Sequence, residues 1–295
     1  MSSESDNIRV GINFPRVGSN PNTLRQKFES LSDAGYDTIE IPLDMLPLII
    51  GGEVRMECVD FLKSILKEFD LLYSAHIGSG LDLRDKKNLD MQKKVLFSSI
   101  EICNLLNMNP LVLHYEFETK DLKIEERFIE LHIEAAEFAS QYGVELCIEN
   151  IEVERVDPVI RFLERTDTPN LRMTFDTGHA FLAAGYFHFD FLEALKESLP
   201  FISHLHVSDN TGIFEELRIT NRAAYNAISI TSRVAFGRGD IHLPPFWGTI
   251  PLNDVFSLLK DYRGIFICEY YSDFSIPFNR TIQEKVRSAI EKTRQ

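Results

Sequence analysis

Long apolar runs are missing from this 295-residue chain. A helix that crosses a bilayer needs roughly 18–20 consecutive apolar residues. The longest local run, residues 45–50, is broken by Pro47 and closed by Gly51, so no membrane partner is expected. Cysteine is scarce as well. Cys58, Cys103, Cys147 and Cys268 stand far apart in apolar surroundings and form no C-x-x-C pair, which reads as buried reduced thiols rather than a disulfide framework. Basic charge is in deficit, with 31 Lys and Arg against 45 Asp and Glu and a formal net charge of -14. Phosphate contacts dominate nucleic-acid affinity, so a nucleic-acid partner is not expected. No Gly-x-Gly-x-x-Gly follows the first strand-like run, which weighs against a dinucleotide-binding fold. Residues 1–7 lack the basic and apolar regions of a secretion signal and read as a short disordered lead. With the reduced thiols, that points to a cytoplasmic protein.

What is present is a repeated punctuation. Residues 8–13 form a short apolar run, and Asn20-Pro21 then supplies a capping side chain and a proline suited to the first helical turn. Leu24, Phe28 and Leu31 recur at helical spacing, and Gly35 closes the helix. Further strand-like runs at 38–42, 71–77, 111–115, 144–149, 171–176, 201–207 and 265–270 are separated by helical patterns. They are apolar throughout rather than alternating, as parallel strands buried on both faces must be. Eight such units predict one α/β domain over residues 8–295, a closed (β/α)8 TIM barrel. Two connectors are long: residues 43–57 after the second predicted strand and 209–251 after the seventh. In a barrel both lie at the C-terminal face, where active sites sit.

Several predicted strands end in side chains able to bind a metal. Leu-Cys-Ile-Glu149, Met-Thr-Phe-Asp176, His204-Leu-His206 and Phe-Ile-Cys-Glu269 share this plan. Three carboxylates converging at a barrel mouth would repel one another and raise each other's pKa, and one divalent cation removes that conflict. Carboxylate-rich, single-imidazole coordination suits Mn²⁺, Mg²⁺ or Co²⁺, and added imidazoles move the preference towards Zn²⁺. The alternative is four unrelated polar strand ends that cap helices or meet arginines. His76 and His114 also end predicted strands. They are read first as contacts to substrate hydroxyls, with metal ligation and core packing as alternatives. Asn13 and Glu40 end the first two strands and are candidate substrate contacts. Glu40 has a structural or histidine-orienting role as its alternative. Arg218, Arg222, Arg233 and Arg238 populate the connector after the seventh strand, with Arg238, between Gly237 and Gly239, the candidate for an anionic substrate group.

The chain resembles the xylose-isomerase-like barrel superfamily of sugar and sugar-phosphate isomerases and epimerases, which also includes endonuclease IV. The resemblance rests on Ile148-Glu149-Asn150, Phe175-Asp176-Thr177-Gly178-His179, His204-Leu205-His206-Val207-Ser208-Asp209, the Gly237-x-Gly-Asp240-Ile241 turn and Cys268-Glu269. It implies one divalent metal held by Glu149, Asp176, His206 and Glu269, with Glu149 and Glu269 also exchanging protons with a sugar. His179 is implied as a substrate contact or ligand. The expected activity is isomerisation or epimerisation through a metal-stabilised enediolate. A keto-sugar lyase or dehydratase, a C-glycoside deglycosidase-type subunit, an endonuclease IV-like phosphodiesterase and a non-catalytic metal-binding barrel are the alternatives. The endonuclease pattern places an Asp-x-His pair before the Gly-x-Gly turn. Here Asp240-Ile-His242 follows Gly239, and that register, like the acidic charge, weighs against a trinuclear site. Relatives in the superfamily are commonly dimers or tetramers, which implies a homo-oligomer.

Overall fold

Strands that are apolar on both faces must be covered on both, and the chain does this by closing the sheet on itself. In a computed structural model, residues 8–15, 20–78, 80–271 and 275–295 are described. The predicted lead at residues 1–7 lies outside them. The strands, in chain order, are β1 (Arg9–Asn13), β2 (Thr38–Pro42), β3 (Ile49–Ile50), β4 (Glu53–Val54), β5 (Leu72–Ile77), β6 (Leu111–His114), β7 (Leu146–Glu149), β8 (Leu171–Asp176), β9 (Ile202–Val207) and β10 (Ile265–Cys268). Eight form a closed barrel in the order β1-β10-β9-β8-β7-β6-β5-β2, every neighbouring pair parallel. β3 and β4 make a separate antiparallel hairpin within the first long connector.

Between the ring and its helices, on the strand faces opposite Glu40 and Glu149, Val10, Ile12, Ile39, Ile41, Ala75 and Ile148 are fully buried, each large aliphatic contributing about 1.5–3 kcal/mol of transfer free energy. The first helix, Pro21–Asp33, starts as its sequence requires: Asn20 Oδ1 accepts from Asn22 N at 3.0 Å, with Pro21 in the first turn.

The register brings the polar strand ends to one level. Asn13 pairs with Glu40, Pro42 with His76, His114 with Glu149, and Asp176 with His206. The second long connector folds over this end as three short helices, Leu217–Thr220, Arg222–Ala227 and Ile230–Phe236. It is tied back to the end of β9, where Asp209 N and O exchange hydrogen bonds with Leu243 O and N at 2.8 and 3.0 Å. Asp209 side-chain oxygens also accept from Gly248 N at 2.8 Å and Ile250 N at 3.0 Å.

Candidate metal centre

His206, buried at the end of β9, organises the site. Its Nδ1 lies 3.2 Å from Glu149 Oε1, 3.1 Å from Glu269 Oε2 and 3.9 Å from Asp176 Oδ2. Its Nε2 points the other way, 2.9 Å from Glu40 Oε1. A carboxylate behind one ring nitrogen fixes the tautomer and presents the other nitrogen as a ligand. The four residues expected to hold a metal are thus brought together, with one donor atom from each within 4.8 Å of the others.

Two further groups adjoin the first. His76 Nε2 and His114 Nε2 are 3.1 Å apart, and lie 3.2 and 3.4 Å from Glu149 Oε2. The two oxygens of Glu149 therefore face different imidazole sets. His179 places its Nδ1 3.0 Å from Asn150 O, an acceptor that fixes the proton on that nitrogen and frees Nε2 as a donor atom. This Nε2 lies 3.5 Å from Asp240 Oδ2, itself 2.9 Å from His242 Nε2. Asp240 and His242 thus stand beside His179, although the register of their pair after the Gly-x-Gly turn weighs against a trinuclear site. Helix Ile230–Phe236 ends at Gly237, with φ 58°, and His242 adopts φ 40° just before the Leu243 contact with Asp209. These left-handed turns carry the segment back into the mouth.

Local sequence explains how Asp176 and His179 are seated. Asp176 caps helix Thr177–Phe187, its Oδ1 accepting from His179 N at 2.6 Å. Asn150 grips the same strand end from β7, its Oδ1 accepting from Asp176 N and its Nδ2 donating to Asp176 O at 2.9 and 3.1 Å.

The electrostatics fit a cation. Burial opposes ionisation of Glu149, but His206 and His114 hold its carboxyl well below the usual range. Burial pushes the Asp176 carboxyl up to about 7; Glu269 and Glu149 add to that rise, against His179. Burial would neutralise His179 and His206, yet Asp176 and Asp240 keep the first protonated well above its ordinary range, and Glu40 and Glu269 do so for the second. Burial likewise opposes the charge on His242, which Asp240 and Glu269 nevertheless drive up to about 10. A divalent cation would supply the same positive charge and displace those protons. Glu149 Oε2, Asp176 Oδ2 and Glu269 Oε2 are buried without a hydrogen-bond partner among the described residues, as oxygens fit to hold a cation would be.

A cavity of about 620 Å³ opens above these groups, and Asn13, Glu40, His76, His114, His179 and Glu269 all line it. Asn13 Oδ1 accepts from Tyr270 N at 3.1 Å, so it also fixes the exit of β10. Glu40 is 1% exposed and engaged by Ser74 Oγ at 3.1 Å, with His76 Nδ1 at 3.6 Å and His204 Nε2 at 3.4 Å. Arg238 is the one expected site residue that the structure places elsewhere: its exposed side chain faces Glu215 at 3.7 Å and does not line the cavity. Arg218, Arg222 and Arg233 line it instead.

A family profile described as xylose isomerase-like TIM barrel matches residues 28–294. The chain belongs to that family. Among solved xylose isomerase-like barrels, a D-tagatose 3-epimerase-like protein is 17% identical, with 97% of this chain and 99% of that chain covered and a TM-score of 0.71. A xylose isomerase-like TIM barrel protein from Mycobacterium smegmatis in complex with magnesium is 14% identical, covering 99% of each chain at a TM-score of 0.73. D-psicose 3-epimerase with D-tagatose from Clostridium cellulolyticum H10 is 16% identical, covering 97% and 98% at 0.65. At these identities the likeness carries the fold. No curated protein sequence matches this chain.

Proposed function

We propose that the protein is a divalent-metal-dependent sugar or sugar-phosphate isomerase or epimerase. The supporting observation is the opposed pair Glu149 and Glu269, at 3.2 and 3.1 Å from the same His206 Nδ1 beneath a sugar-sized cavity. Glu149, Asp176, His206 and Glu269 would hold the cation. When bound, it would supply the charge that positions neighbouring sugar oxygens and favours loss of a proton from the carbon beside a carbonyl. Glu269 lines the cavity with 12% of its side chain exposed, and takes or returns that proton. Glu149 is fully buried and acts as the opposite acid or base only with one oxygen released from the imidazoles around it. Return of the proton to the neighbouring carbon gives isomerisation, and return to the other face gives epimerisation. The D-psicose 3-epimerase among the compared structures accords with this reading.

A second reading is favoured by one specific observation. Glu149 presents Oε1 to one donor group and Oε2 to another, and His179, Asp240 and His242 form a third. With cations in all three, Glu149 has no free oxygen for proton transfer, and hydrolysis of a phosphate ester is the chemistry such a centre favours. Metal content separates the two. One equivalent, lost in Asp176→Ala and kept in His242→Ala, together with Glu269-dependent uptake of solvent deuterium into a ketose, supports the isomerase. Three equivalents, one of them lost in His242→Ala, with cleavage of a phosphodiester, supports the hydrolase. Protein that takes up no metal sinks both.

A further inference from the structure

The wall of the cavity facing the histidines is built by the connector between β9 and β10, and it is cationic in a chain of net charge -14. Arg218, Arg222 and Arg233 all line it. Tyr225, 5% exposed, is the spacer between them: the Arg233 guanidinium lies 4.6 Å and that of Arg218 5.6 Å from its ring centre. Arg233 Nη1 donates to the Tyr225 hydroxyl, and to Asp240 O at 3.1 Å. The Arg233 head is thereby fixed, yet its Nε is buried with no hydrogen-bond partner among the described residues.

The balance of charge is uneven. Arg218 is neutralised by an ion pair with Glu152. Neither Arg222 nor Arg233 has a carboxylate within ion-pair distance among the described residues, and the Arg222 side chain is exposed at the cavity. A guanidinium held in place without a carboxylate at ion-pair distance, as that of Arg233 is, matches planar or tetrahedral oxyanions, which accept paired N–H bonds; the exposed Arg222, which faces Glu116 at longer range, adds a second positive charge to the same cavity. Two cations lining one cavity suit a dianion better than a single carboxylate.

We propose that Arg222 and Arg233 form a phosphate subsite, so that the substrate is phosphorylated and lies with its reacting carbons at the histidine–carboxylate wall and its phosphate at the arginine wall. This deepens the sugar reading and rests on it. Arg218, held by Glu152, frames the subsite rather than supplying its charge.

The test is calorimetric binding of fructose 6-phosphate and fructose to metal-loaded protein, with metal content checked in every variant. Wild type is expected to bind the phosphorylated sugar at least ~tenfold more tightly, the range that one charged hydrogen bond commands. In Arg222→Glu and in Arg233→Gln the ratio of the two affinities is expected to fall towards one at unchanged metal content. Equal binding of both sugars by wild type overturns the proposal, as does an unaltered ratio in both variants, which would place the phosphate on the metal. Tighter binding of a ketohexuronate than of fructose 6-phosphate also overturns it, in favour of a carboxylate. If neither fructose compound binds, the sugar reading fails. The phosphate subsite then survives only if bis(p-nitrophenyl) phosphate binds and Arg222→Glu weakens it roughly tenfold.

Discussion

Glu40 is the residue whose alternative readings, sugar contact and histidine-orienting brace, meet the most contacts. A strand-end carboxylate beside a cavity suggests a sugar contact, but this one sits beneath the site, touching His206 Nε2, His76 Nδ1, His204 Nε2 and Ser74 Oγ. It braces two imidazoles whose opposite nitrogens face Glu149. Such outer carboxylates commonly carry about 10–100-fold in metal affinity. Glu40→Gln, which offers an amide N–H where a second acceptor oxygen is needed, is expected to weaken metal binding by that order in a chelator competition. Unchanged affinity would reduce Glu40 to a packing residue. His132 illustrates another consequence of burial. It is 3% exposed between Phe128 and Phe162, donates from Nδ1 to Phe128 O at 2.8 Å, and burial lowers its pKa to about 4. Its folded pKa lies below its unfolded value near ~6.5, so the unfolded chain binds the proton first as pH falls. The stability held above that value is lost between there and about 4. His132→Leu is therefore expected to flatten the fall in thermal midpoint between those limits, and an equally steep fall in both proteins would assign the acid sensitivity elsewhere.

At the scale of elements, the start of helix Thr177–Phe187 is a tight joint next to the candidate centre. A Cβ on Gly178 would overlap Ser208 Oγ and stand 3.4 Å from Asp176 Oδ1. Gly178→Ala must move the helix start or the end of β9, and either displaces Asp176 or His179. Metal content is expected to fall by at least half while the circular dichroism stays that of the wild type; full metal loading would show that the joint gives way harmlessly. The barrel strands were readable because each is apolar through its length and ends in a turn signal, and the cluster of Glu149, Asp176, His206 and Glu269 because each closes such a run. The connector between β9 and β10 was not readable in the same way. Its helices are each a turn or two long, so no periodicity reveals which arginine faces the cavity, and the glycines beside Arg238 single out one whose side chain faces Glu215. The return of Asp240 and His242 depends on left-handed backbone at Gly237, Gly239 and His242 and on the Asp209 contact with Leu243. Those are tertiary choices that residue spacing does not encode.

For the molecule as a whole, a ring of strands has gathered more acidic and imidazole groups than its interior tolerates uncharged. A cation that binds only the folded state stabilises it by about 4 kcal/mol when free metal is a thousandfold above Kd. Chelation is accordingly expected to lower the thermal midpoint by several degrees, with recovery when metal is returned; a midpoint indifferent to complete metal removal would show that protons alone neutralise the site. The donors come from β5, β6, β7, β8 and β9, with Glu269 directly after β10, which slots between β1 and β9 to close the ring. No contiguous stretch of chain therefore owns the centre. A nascent or truncated polypeptide lacking β10 can assemble its histidines and still miss a donor, so if the proposed ion binds, full affinity for it doubles as a certificate that the last gap in the barrel has shut.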